Sequence, residues 1–171
     1  NGSGTITVNN QTFKNGITMA DQWRLTANAT APSGDITANL ERVDTSGQGT
    51  LGTGMTESSG IFSFPSTGIY LVQYAFSLSN VSAGTEDRAQ ILLQITTDNS
   101  SYANLSNPDG AVDGSANGAA NVLYGSSLID VTNISNVKVK FTATSFKSGT
   151  TLNGATSENH THFTFIRLGD T

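Results

Sequence analysis

The chain's only two histidines stand one residue apart, in His160-Thr161-His162. Alternate residues on a strand project to the same face, so the pair is spaced to offer two imidazoles to one metal ion. A tetrahedral site within one chain would need further ligands, and there is no other His and no Cys. Oxygen ligands of the kind calcium takes are grouped at Asn107, Asp109, Asp113 and Asn117, and again at Glu86-Asp87. Their spacing fits no calcium loop, and Asx residues in such a setting ordinarily shape turns. Nucleophilic catalysis would want a Ser or Thr beside a His oriented by a carboxylate. Hydroxyls are abundant, but there is no Gly-x-Ser-x-Gly elbow, and thirteen acidic residues single out no pair for glycoside hydrolysis. Gly47-Gln48-Gly49-Thr50-Leu51-Gly52 has the outline of a dinucleotide-binding loop but lies in a strand-and-turn context. These residues point away from an enzyme. Tyr102 and Tyr124 are the aromatic side chains freest to contact a receptor.

The elements that must position these groups are strands. Thr, Ser, Gly and Asn fill 78 of the 171 positions, while charged residues make up 12%, against about 25% for an average soluble domain. That composition excludes a helix-rich protein, and 36% hydrophobic residues are enough for one ordinary core. The net charge of −5, with four Lys and four Arg scattered along the chain, gives nothing to grip a nucleic acid. No apolar run approaches the roughly 18 residues of a membrane span, so no membrane insertion is expected.

Residues 1–19 are polar and rich in Gly and Asn, which reads as an N-terminal arm or linker; residues 20–171 read as one domain. Within that domain, period-2 alternation is the dominant signal. Tyr70, Val72, Tyr74, Phe76 and Leu78 share one strand face; Ala89, Ile91, Leu93 and Ile95 share another, as do Val137, Val139, Phe141 and Ala143. Leu123 to Val131 and His162 to Leu168 complete five clear strands. Weaker ones are expected at Trp23 to Ala29, Ile36 to Arg42 and Ile61 to Phe64. Asn104 to Gly118, punctuated by Asn107-Pro108-Asp109-Gly110 and Asp113-Gly114, reads as the longest loop. About eight strands in one domain predict an all-β, two-sheet antiparallel jelly-roll sandwich.

Two motifs carry a resemblance. Phe62-Ser63-Phe64-Pro65-Ser66-Thr67-Gly68-Ile69-Tyr70 is similar to the segment of the tumour necrosis factor and complement-head superfamily in which an aromatic strand leads through a Pro/Gly turn into a Gly-x-Tyr opening a long central strand. Phe163-Thr164-Phe165-Ile166-Arg167-Leu168-Gly169 resembles that superfamily's last strand. Trp23-Arg24-Leu25, Leu40-Glu41-Arg42-Val43-Asp44 and Gly52 to Gly60 look most like virion proteins of tailed marine bacteriophages. The lack of Cys and of a Gly-X-Y stalk departs from complement heads.

The resemblance implies a homotrimer of TNF-like jelly rolls without catalysis, set on the virion surface as a capsid decoration or fibre head. It implies a trimer interface at Tyr70, Val72, Tyr74, Phe76, Phe163 and Phe165, and docking to other virion proteins through the N-terminal arm. On a three-fold axis, His160 and His162 would bring six nitrogens to one metal ion, as His-x-His motifs of phage fibres do. The alternative is an adhesion head that binds a host-surface glycan or receptor through Tyr102 or Tyr124.

Overall fold

The computed structural model describes residues 6–8, 11–13, 16–80, 86–113 and 118–171. Asn117 and Gly114, read above as turn or ligand residues, lie outside these. β1 (Ile6–Val8) pairs antiparallel with β2 (Gln11–Phe13). β3 (Met19–Leu25) follows, and its Met19, placed in the arm by the sequence reading, is buried.

Fourteen strands make two antiparallel seven-stranded sheets, and the described residues include no helix. The first sheet is built on β9 (Gly68–Asn80), which pairs along its whole length with β13 (Ala119–Val131). On its other side β9 pairs with β16 (His162–Gly169) and with β15 (Thr150–Leu152); β16 leads on to β3 and then β6 (Leu40–Arg42), and β15 to β4 (Ala29–Thr30). The second sheet runs β10 (Glu86–Thr96), β14 (Lys138–Thr144), β8 (Ile61–Ser63), β7 (Thr56–Ser58), with β5 (Gly34–Asp35) also on β14. The free side of β10 is covered by β11 (Ala103–Ser106) and β12 (Asp109–Val112).

The five clear strands lie where alternation puts them. The expected long loop instead holds β11 and β12, and Pro108, which has no N–H to donate, separates them. β3 sits four residues earlier than the strand expected at Trp23 to Ala29, and the Ile36 to Arg42 run is broken between β5 and β6, with Asn39 in the left-handed region at φ 58°. Ile36 is nevertheless buried, so its apolar character reports the core rather than a strand.

The core is an aromatic stack between the sheets. Phe62, Phe76, Phe141 and Phe163 are wholly buried, and the Phe141 and Phe163 rings lie 4.3 Å apart. Trp23 meets Phe62 edge-on at 5.6 Å, and Tyr74 meets Phe141 at 5.3 Å. Offset and edge-on pairs of this kind add about 0.5–1.5 kcal/mol each beyond area burial.

Candidate self-association face

Each strand of the first sheet has an inward face in the core and an outward face turned away from it. Tyr70, Val72, Tyr74, Phe76, Phe163 and Phe165 all lie inward, at 0–1% exposure. They fill the interior of one subunit and have no surface to offer a second, so the expected trimer interface does not lie on them. Alternation identified a buried row correctly, but burial within one sandwich uses it up.

The three most exposed large apolar side chains among the described residues are on the outward face. Leu128 is 65% exposed, Tyr124 58% and Val122 57%, all on β13. Pairing carries Leu128 across the sheet in one row: Leu128 opposes Leu71, Leu71 opposes Ile166, and Ile166 opposes Ala20, which bridges to Leu51. The next row, Ser126, Gln73, Thr164 and Gln22, is uncharged, and its amides are held in the plane of the face. Gln22 Nε2 donates to Thr164 Oγ1 at 2.8 Å, Asn159 Nδ2 donates to Gln22 Oε1 at 2.7 Å, and Gln73 Nε2 donates to the Tyr124 phenol. The third row runs Tyr124, Ala75, His162, Arg24 and Glu41.

Two buried charges shape the far side of this face. Arg24 is wholly buried and donates to Glu41 (2.7 Å), Asp44 (2.9 Å) and Thr45 (2.7 Å), which folds the segment after β6 back over β3. Asp21, inward on β3, accepts from Trp23 Nε1, Arg42 Nε and the Met55 N–H. Gly54 lets that strand pass, since a Cβ there would stand 2.5 Å from Asp21 Oδ2. Between this folded segment and the sheet lies a trough of about 250 Å³, lined in part by Ala20, Gln22, Val43, Gln48, Thr164 and Ile166. It is below the roughly 300–1,000 Å³ of a small-molecule pocket and suits a side chain better than a ligand.

The histidines do not share a strand face. His162 opens β16, while His160 lies in the preceding bend, exposed, with Nε2 3.1 Å from Glu158 Oε1. The alternation argument for a shared ion therefore does not apply, and no group of three or more His, Asp or Glu able to hold a metal occurs among the described residues. Asp109 pairs with Arg88 at 2.8 Å on the second sheet. Buried Glu86 accepts from the N–H groups of Arg88 and Lys147, which ties the turn after β14 to β10.

The two tyrosines are far apart in role. Tyr124 is exposed on the outward face, but Tyr102 is half-buried with Lys140 Nζ 4.4 Å from its ring centre, and burial raises its phenol above the usual value. Sequence reading missed the outward row. Its signal was present in Leu71, Leu128 and Ile166, apolar residues on faces that should be polar, but only the register shows that they are neighbours.

No family model and no curated protein matches the chain. Solved structures do. Eiger TNF from S. frugiperda superimposes with a TM-score of 0.63 at 12% identity, over 91% of this chain and 95% of that one. Murine APRIL superimposes with a TM-score of 0.58 at 12% identity, over 88% of this chain and 98% of that one. The chain thus has a TNF-like jelly-roll fold.

Proposed function

We propose that this chain is a non-enzymatic virion structural protein, a trimeric jelly-roll knob that decorates a phage capsid or caps a fibre. The observation that carries the self-assembling part of this reading is the row Leu128, Leu71, Ile166, Ala20, which lies outside a core already complete without it. Leu128 is exposed and Leu71, Ile166 and Ala20 are half-buried; taking a wholly exposed Leu out of water contributes about 1.5–3 kcal/mol, so covering Leu128 and the remainder of the row in three copies favours association. Large apolar patches on one face mark interaction sites. The trough beside β3 and the protruding β13 residues lie at opposite margins of that face, an arrangement that suits a closed ring of identical contacts.

The virion setting rests on the phage-like sequence segments, and the arm of residues 1–19 would serve as the tether. Host-surface recognition, if the knob has it, falls to surfaces other than Tyr124, which this reading places in the seam. The test has two parts. Immunogold labelling with an antibody to the chain should decorate assembled particles, and deleting residues 1–18, which spares the buried Met19 of β3, should leave the oligomer intact while releasing it from them. Absence of label from particles would overturn the virion reading.

A further inference from the structure

We propose that His162 makes the self-association acid-sensitive, holding the subunits together at neutral and alkaline pH and releasing them when the imidazole takes up a proton. This rests on the reading of the outward face as the seam between copies.

His162 lies in the outward row between Ala75 of β9 and Arg24 of β3, two residues from Thr164 and one strand removed from Tyr124. It is half-buried already in the lone subunit, and its Nδ1 is buried with no well-formed hydrogen-bond partner among the described residues. A protonated ring would thus carry its charge in a half-buried position, with the backbone of His160 and Asn159 as its partners and no carboxylate beside it.

The charged groups around it offer no relief. Arg24 of β3 is a fixed cation directly opposite in register, and its charge is already matched by Glu41 of β6 and by Asp44. In the bend before β16, Glu158 is engaged by His160. The neighbouring residues of β9 are Gln73, Ala75 and Ser77, and those of β13 are Val122, Tyr124 and Ser126; neither set carries a carboxylate. Asp130 lies on the same face, three rows away toward the other end of β13.

Burial already holds the imidazole below its usual value, with the backbone of His160 and Asn159 opposing this only in part. Covering the face with a second subunit removes more water from the ring. The lone subunit then binds the proton better than the assembled one, so association weakens as pH falls and is complete above the ordinary histidine range. A tenfold difference in proton affinity between the two states becomes about a thousandfold change in the trimer's dissociation constant, because three subunits are protonated. The chain's isoelectric point of about 4.7 makes the effect distinctive, since lowering the net charge in acid would otherwise favour association.

The experiment is the solution mass of the full chain by light scattering at about pH 8 and about pH 5, for wild type, His162→Gln and His160→Gln. The proposal expects wild type and His160→Gln to be trimeric at the higher pH and dissociated at the lower, with His162→Gln trimeric at both. A wild type that stays trimeric in acid, or a His162→Gln chain that dissociates as wild type does, overturns the role of His162 and leaves the trimer standing. A wild type that is monomeric at the higher pH overturns the trimer itself and the switch with it. Should His162→Gln fail to assemble at either pH, the NMR titration of His162 in wild type decides: its midpoint must coincide with that of the mass change, and a mismatch overturns the proposal.

Discussion

Gly125 stands directly across from Tyr74 on the β13–β9 ladder, and a Cβ at Gly125 would come within 2.3 Å of the tyrosine's Oη. The ring lies flat over the glycine so that its hydroxyl can donate to Ser106 Oγ at 2.8 Å, and burial raises the phenol above its usual value. Gly125→Ala forces that ring aside. Overpacking of this kind costs about 1–3 kcal/mol, which for a domain of this size lowers Tm by roughly 2–12 °C. Thermal unfolding followed by circular dichroism checks it, and an unchanged Tm would mean the ring relocates freely.

The inward and outward residues of β9 and β16 should behave differently. Phe163→Ala opens a cavity in the aromatic stack and should cost about 3–5 kcal/mol, read as a lowered denaturant midpoint. Tyr70→Asp or Phe76→Asp would bury an unpaired carboxylate and prevent folding. Leu128→Asp, on the outward face, should leave the far-ultraviolet spectrum unchanged.

Asp21 is the hub that fastens the segment between β6 and β7 to β3. Asp21→Asn keeps the volume but turns one acceptor oxygen into a donor, leaving Trp23 Nε1, the Met55 N–H and Arg42 to compete for what remains. Leaving one buried donor unsatisfied costs about 1–3 kcal/mol. Amide exchange should show protection lost first around Met55.

Asp35 gives a pH-dependent contribution of known sign. Burial alone would raise its carboxyl, but hydrogen bonds from Lys140 and Thr142 and the Lys140 charge together outweigh it and hold the value below the usual one. A carboxyl lowered on folding stabilises the fold above the ordinary carboxylate range, and that stability is lost as pH falls below it. Stability curves of wild type and Asp35→Asn should therefore differ near neutral pH and converge in strong acid. Curves parallel throughout would remove Asp35 from the acid response.

How far the sequence reveals this molecule depends on the range of the signal. Alternation in Tyr70 to Leu78 and in Val137 to Ala143 is local, and it placed β9 and β14 and their inward faces. The Phe62 to Tyr70 motif carried the fold family for the same reason. The outward row was not legible because Leu71, Leu128 and Ile166 are separated by dozens of residues and become neighbours only through register. For the histidines the failing was one of boundary: β16 begins at His162, so His160 never joins the alternation. The inward aromatics were assigned to a seam between subunits because sequence alone does not tell a surface buried by its own sheet from one buried by a neighbour.

The most direct test of this account is the mass of the full chain in solution at neutral pH, by light scattering, with Leu128→Asp beside it. The account predicts about three times 17.8 kDa for wild type and a single folded subunit for the variant. A wild type that remains a monomer as concentration rises would contradict it, as would a variant that assembles as well as wild type.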